Sequence, residues 1–426
     1  MNPPSPLHRL AHATTVVLGS ARFAQAIAVC TVGAAYLAFA LRSTMGWAGL
    51  LGMLGALVAL AALSIRVKRH EIEWHGLLPI SLLAFLGWSA MSVLWSDYQW
   101  VTLGSVAYQW AFAFLGVYIA LSRDMIQIVR AFGDVLRAIL AASIALEVMS
   151  GILFDTAFVF IGIDGNLGVG GPIQGLLGTR NQLGLVALIA LVTFFVETAT
   201  RSIGRSLGYA SIVLAVLTML FTRSPVILGV VLIVAGAALS LIGLRRLDPV
   251  ARRAAQFVLL GASVVTLLIL FVARSRIIAL LNAGSEFEFR YFLWRDITEV
   301  ASSRTLEGFG WIGYWRREIP PFVGIDPFAA PHESALNAYL DVLLQLGIVG
   351  LTVFVALVGL AFVRSWLLAA NKRSVVFLWP ALTLLVLIIV SAAESSILVE
   401  FGWFTLAICA LTASQNLSWR SRLPRG

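Results

Sequence analysis

Charge is what this chain lacks. Only 12% of its 426 residues are charged and 60% are hydrophobic, whereas a soluble protein of this length would carry roughly 25% charged residues. With a mean hydropathy of +0.93, the composition excludes an ordinary soluble domain and fits a polytopic membrane protein. Cysteine is almost missing too. Cys30 and Cys409 both lie inside apolar runs, so a disulfide between them is not expected and they say nothing of redox compartment. The sequence has no CxxC or HExxH metal motif, no phosphate-binding P-loop and no GxSxG nucleophile elbow, which removes the common metal, nucleotide and serine-hydrolase chemistries. It has no repeat of roughly 20–50 residues, no heptad run and no low-complexity tail. The net charge of +9 does not indicate nucleic acid, because the basic residues are scattered over short segments and form no dense patch.

What is present is apolar sequence in long runs. A membrane span needs about 20 mostly apolar residues. Twelve runs are candidates, near 24–41, 44–65, 76–95, 101–121, 138–158, 181–199, 206–222, 225–244, 255–273, 336–363, 375–393 and 397–413. They predict an all-α polytopic protein of about 12 transmembrane helices. One transmembrane domain then covers 1–426, with a single large polar loop at 274–335 between the ninth and tenth spans. The N-terminus is Pro-rich and then polar, with no small-residue cleavage site, and is expected to be an uncleaved cytosolic tail. Lys and Arg set the orientation. With the N-terminus inside, twenty of the 30 basic residues fall in inside segments, three (Arg42, Arg180, Arg223) in short outside loops and seven in the long loop. That asymmetry predicts two cytoplasmic termini and an external 274–335 loop.

Four polar positions then meet on the outer side: Arg180, Arg223, Arg290 and His332. Arginine beside hydrocarbon is expensive and is usually retained for a partner, and its fork suits bidentate phosphate recognition. Snorkelling to lipid headgroups or pairing with a nearby carboxylate explains such residues equally well in the absence of other signals. Around Arg290, residues Phe287, Tyr291, Trp294, Ile297 and Ala301 recur at helical spacing, which predicts an amphipathic interfacial helix. Arg290 could pair there with Glu286 one turn earlier. His332, Glu333, Ser334 and Asn337 are expected in the first turns of the span that starts near Leu336, with Pro331 fixing its entry. A helix start favours an anion, and histidine is the side chain best suited to proton transfer near neutral pH. A capping or structural histidine is the plainer alternative. The Gly-rich stretch at 159–180 suits tight turns. Glu147 is the clearest buried carboxylate, with Glu394 and Glu400 near the last turn.

Several pieces in order resemble the O-antigen ligase and Wzy-type polymerase superfamily of bacterial envelope enzymes. They are "GLLGTRNQLG", "FTRSP", "RYFLW", "EGFGWIGY" and "HESALNAYLDVLLQLGIVGL", spanning about 175–365. The resemblance implies a GT-C-like fold in the bacterial inner membrane, with short amphipathic helices in the periplasmic loop. It also implies an inverting, metal-independent glycosyltransferase that uses no cofactor. The donor would be a glycan on undecaprenyl diphosphate. The acceptor would be a sugar hydroxyl of lipid A-core, as in a ligase, or of another lipid-linked glycan, as in a polymerase. Carried over by motif, His332 matches the family's essential histidine, and Arg223 and Arg290 match arginines implicated in handling the diphosphate. Arg180 and Asn181 match a less uniform substrate-binding position, and Glu333, Asn337 and Trp294 are possible supporting residues. Two departures stand out. The turn reads Thr-Arg-Ser-Pro, and Glu333 and Ser334 follow the histidine where the family usually has Asn, which leans towards the polymerase branches. The first external loop, around 42–46, has no carboxylate, where metal-dependent lipid-linked glycosyltransferases commonly carry one. A transporter or flippase would be expected to show internal repeats and a polar midplane pathway. A peptidoglycan polymerase would be expected to rely on an acidic loop residue, for which Asp296, Glu307 and Asp326 are available.

Overall fold

The computed structural model describes residues 15–69, 79–273, 275–276, 284–325 and 332–417. Helix dominates it. The long helices are α1 (Ala21–Tyr36), α2 (Ala38–Lys68), α3 (Ile80–Met91), α4 (Gln99–Ser122), α5 (Met125–Val148), α6 (Arg180–Thr200), α7 (Arg205–Thr222), α8 (Pro225–Leu244), α9 (Pro249–Val272), α10 (Gly284–Ala301), α11 (Ala338–Asn371), α12 (Leu378–Val390) and α13 (Glu400–Leu417). Among the described residues there is no β-strand, only an isolated bridge between Phe158 and Ile163. Among the described residues, seven helices are long and apolar enough to cross a membrane: α2, α4, α5 with its π-helical extension to Leu153, α6, α7, α8 and α11. This is the architecture of a polytopic integral membrane protein.

Helix starts follow local chemistry. Ser20, Asp124, Thr179, Ser224, Asp248 and Asn337 each accept a backbone N–H of the first turn with a side-chain oxygen, satisfying donors that have no partner within the helix. Pro225 and Pro249 stand where their missing N–H costs nothing. The short turn between α7 and α8 is Arg223 in the left-handed region (φ 47°) followed by Ser224. The runs at 24–41 and 44–65 are divided differently from expectation. Helix α1 stops at Tyr36, and α2 starts at Ala38 and breaks at Gly46 (φ 70°).

The main core lies between α4, α5, α6, α11, α12 and α13. Helix α6 is buried along most of its length by its neighbours, so its N-terminal end, Arg180 and Asn181, is held by protein contacts. Several polar groups in this core are paired, which a low-dielectric interior favours. Trp379 donates to Thr193 (2.9 Å), Tyr36 hydrogen-bonds Thr405 (2.9 Å) and Trp403 donates to the Gln109 carbonyl (3.0 Å). Buried Glu147 accepts the N–H groups of Gln174 (2.7 Å) and Gly175 (2.8 Å). The clearest intramembrane carboxylate therefore pins the Gly-rich segment against α5.

A second, smaller core joins α10 to the segment that follows it. Leu293, Ile297 and Ala301 pack with Ile312, Trp315, Phe322, Ala335 and Leu344. A helix forms where the amphipathic one was expected, around 287–301. Tyr291 and Phe287 are exposed, while Arg290 and Leu293 share the buried side with Ile297. Two glycine signatures explain how this layer is fastened. At Gly347 (φ 66°, ψ −170°) α11 breaks, and the 305–310 segment docks into the break. Ile348 N–H donates to the Thr305 carbonyl (2.8 Å), and Gly310 N–H donates to the Gln345 carbonyl (2.8 Å). The indoles of Trp88 and Trp95 donate to the carbonyls of Leu346 (3.0 Å) and Glu307 (3.1 Å) on the two sides of this joint. A Cβ at Gly347 would lie 2.1 Å from the Leu306 carbonyl oxygen. Gly347→Ala is expected to lower the melting temperature of the detergent-purified protein markedly. Backbone strain alone is worth about 1–3 kcal/mol, and the clashing atom is main chain, which has no rotamer to escape into. An unchanged melting temperature would show that the joint yields.

Candidate active site

One cleft of about 1030 Å³ opens where the start of α2, the start of α6, α10, the segment before α11 and the α12–α13 connection converge. Arg290 and His332, the residues singled out in the sequence, both line it, with Asn181 and Glu333. Their side chains reach it by different routes.

Arg290 arrives from the buried face of α10. Its Nη2 lies 3.3 Å from Glu394 Oε1. The side chain of Glu286, its expected partner, lies outside the described residues. The Glu394 carboxylate also accepts from Asn181 Nδ2 (2.8 Å), and Asn181 Oδ1 accepts from the Ser224 hydroxyl (2.7 Å). A hydrogen-bonded chain thus runs from α8 through α6 and the α12–α13 connection to α10. Burial pushes the Glu394 carboxyl above its ordinary range, opposed by the Arg290 guanidinium and the Asn181 amide.

His332 departs from the expected position. Helix α11 begins at Ala338, capped by Asn337, whose Oδ1 accepts from Tyr339 N–H (3.0 Å) and Leu340 N–H (3.2 Å). His332 and Glu333 therefore precede the helix and do not form its first turn, and Pro331 lies outside the described residues. The irregular 332–336 segment is fixed by other contacts. The Arg317 Nε donates to the His332 carbonyl (3.2 Å), Trp315 N–H to the Glu333 carbonyl (2.8 Å) and Trp294 Nε1 to the Ala335 carbonyl (3.0 Å). The imidazole is 9% exposed and lies edge-on between Phe289 (6.0 Å) and Trp315 (5.5 Å). Trp294 and Asn337, named as supporting residues, are thus anchors of this segment.

Beneath it lies a clamp whose two polar residues fall within the "HESALNAYLDVLLQLGIVGL" stretch but were given no role there. Buried Asp341 accepts from Trp315 Nε1 (2.8 Å), Gln345 Nε2 (2.7 Å) and Ala335 N–H (3.2 Å). Gln345 Oε1 in turn accepts from the N–H groups of Ile312 (2.8 Å) and Gly313 (3.0 Å). The i, i+4 spacing of Asp341 and Gln345 on an otherwise apolar helix was the available signal.

Arg180 and Arg223 do not line the cleft. Arg180 opens α6 beside Asn181, and exposed Arg223 precedes Ser224 with its guanidinium near the Gly170 turn. Asp296 and Glu307 do not line it either, and Asp326 lies outside the described residues. Arg42 does, a residue read only as a topological marker. Its guanidinium is 3.6 Å from Glu333 and 3.9 Å from Glu400. The cleft therefore holds Arg42, Arg290 and Arg317 around a histidine, a set suited to an anionic substrate and a proton transfer.

Residues 210–355 match the O-antigen ligase family model. The match agrees with the superfamily resemblance carried by the motifs and contains Arg223, Arg290 and His332. It supports a ligase- or polymerase-type function in glycan assembly. Asn181, which the motif resemblance had singled out, lies outside the matched stretch, and so do Glu394 and Arg42, which join the site only through the fold. A search of curated proteins gave no significant match.

Proposed function

We propose that the protein is an inverting, metal-independent glycosyltransferase that moves a glycan from undecaprenyl diphosphate to a sugar hydroxyl. The observation that carries this is the convergence on one cleft of Arg290 and His332, both of which lie in the stretch matching the O-antigen ligase family. In this reading His332 takes the proton of the acceptor hydroxyl, whose oxygen forms a bond to the anomeric carbon. The bond from that carbon to the diphosphate oxygen breaks on the opposite face, so configuration inverts. The departing diphosphate carries the negative charge, and Arg290 stabilises it as it develops. Arg223 and Arg180, at the helix starts beside the Asn181–Ser224 contact, would extend the cationic rim. The polyprenyl chain stays in the bilayer. The chain has about twelve spans and both termini in the cytoplasm, in the inner membrane of a bacterium, and the 274–335 loop and the cleft face the periplasm.

Lipid A-core is the proposed acceptor, which makes the protein an O-antigen ligase. Extension of lipid-linked repeats by a polymerase is the second reading, favoured by Glu333 and Ser334 after the histidine. One experiment separates them: purified protein in liposomes with lipid-linked repeat units, with and without lipid A-core. A lipid A-linked product establishes the ligase and chain growth without lipid A-core the polymerase. Failure to consume the donor in either case, with no gradient present, overturns the glycosyltransferase reading.

A further inference from the structure

A second cavity, about 580 Å³, adjoins the cleft and shares Arg42, Gly313, Tyr314, Arg317 and Glu333 with it. Its volume lies within the usual range for small-molecule sites, roughly 300–1,000 Å³. Its walls are aromatic, including Trp47, Tyr108, Trp311 and Trp403. Trp47 is 46% exposed although it sits next to a well-packed core, and its ring meets Tyr108 and Tyr314 edge-on at 5.9 and 6.5 Å.

Polar groups are set among these rings. The Glu400 carboxylate is buried and accepts from the Tyr108 hydroxyl (3.0 Å). Its backbone is held at φ 45°, a conformation that costs a residue with a side chain and tends to persist at functional sites. Gln109, on α4, also lines the cavity and is 3% exposed. Neither its Oε1 nor its Nε2 has a hydrogen-bond partner among the described residues. Buried amides are almost always paired, so one left unpaired at a cavity wall is a donor and an acceptor for something that enters.

We infer that this second cavity is a saccharide subsite of the proposed transferase. A pyranose ring has an apolar face of C–H groups and a rim of hydroxyls, each both donor and acceptor. Aromatic faces suit the first. The open Gln109 amide and the Glu400 carboxylate suit the second. Water alone would meet the amide but would not account for the aromatic walls. The shared border at Arg42, Tyr314 and Glu333 lets a sugar seated here extend a neighbouring hydroxyl or anomeric carbon into the cleft with His332. The sugar comes either from the acceptor or from the donor glycan.

The inference rests on the glycosyltransferase reading, and the experiment keeps the two apart. Gln109→Leu keeps the side-chain size and removes the amide, and Trp47→Ala removes the exposed ring. The probes are the oligosaccharides of the lipid A-core and of the lipid-linked repeat of the source cell, each freed from lipid by mild acid. Binding is measured by saturation-transfer NMR, and transfer is measured with the intact substrates. Both variants are expected to weaken oligosaccharide binding and to raise one KM about tenfold, the order that one or two lost hydrogen bonds (Gln109→Leu) or a lost aromatic contact (Trp47→Ala) produces. A raised acceptor KM assigns the subsite to the acceptor, and a raised donor KM assigns it to the donor glycan. Gln109→Leu is expected to melt no lower than wild type, since it removes an unpaired buried group, which a purely structural role would not allow. If wild type binds the oligosaccharides and Gln109→Leu binds them more weakly, yet no transfer occurs, the subsite stands and the transferase reading fails. If transfer proceeds and both variants keep wild-type KM values and binding, the cavity holds water only and the inference is overturned.

Discussion

His332→Ala is expected to abolish glycan transfer while the protein still inserts and purifies from membranes. Loss of a positioned general base alone costs about 10²- to 10⁴-fold. The fold should survive, because the bonds that hold the 332–336 segment use its backbone: Arg317 to the His332 carbonyl, Trp315 to the Glu333 carbonyl and Trp294 to the Ala335 carbonyl. What the substitution removes is an imidazole between Phe289 and Trp315. The measurement is product formation from a lipid-linked donor in liposomes, with the yield of folded protein as control. Full transfer by the variant would remove His332 from the mechanism.

Arg290→Lys is expected to reduce transfer by about 100-fold, the order seen when one preorganised donor to a developing anion is lost. Lysine keeps the positive charge beside Glu394 and so should preserve the fold, but it cannot offer two parallel N–H groups to a diphosphate. Wild-type rates in Arg290→Lys would reduce the arginine to an ion-pair partner. The alanine variant reports something else. It leaves the Glu394 carboxylate buried without its cation, a loss of about 3–5 kcal/mol when such a pair is broken. Burial already pushes that carboxyl up, and the Arg290 charge opposes the push. Without Arg290 the folded-state value rises further above the unfolded one, so folding favours the protonated form. Stability of Arg290→Ala should then fall as pH rises above the ordinary carboxylate range of about 4.3. Thermal melts at about pH 5 and pH 8 test the sign, and a variant more stable at the higher pH would contradict it.

Much of the helical scaffold was legible because its signals are local. Apolar runs mark where many of the helices form, Pro225 marks the start of α8, and a hydrophobic solvent enforces the rest. The helix around Arg290 was legible for the same reason, though which of its faces turns inward was not. Tyr291 and Phe287 are exposed, and Leu293 and Ile297 are the residues the 312–325 segment covers. The helix start near His332 was misjudged because Pro331 and His332 look like an N-terminus, while the Asn337 side chain is the one that caps it. The glycines of "EGFGWIGY" and "LGIVGL" were readable as motifs. Their meaning as a single backbone-to-backbone joint depends on two segments nearly forty residues apart meeting in space.

The sequence alone determined that this is a helical membrane protein and that His332 and Arg290 merit attention, because composition and motif order act over short ranges. Only the tertiary structure decided what surrounds those two residues. Glu394 faces Arg290, Asp341 and Gln345 brace the histidine segment, and Arg42 links the cleft to an aromatic cavity with an open Gln109. Such pairings are set by helix packing between distant parts of the chain, and a burial cost or a missing hydrogen-bond partner exists only once that packing has excluded water.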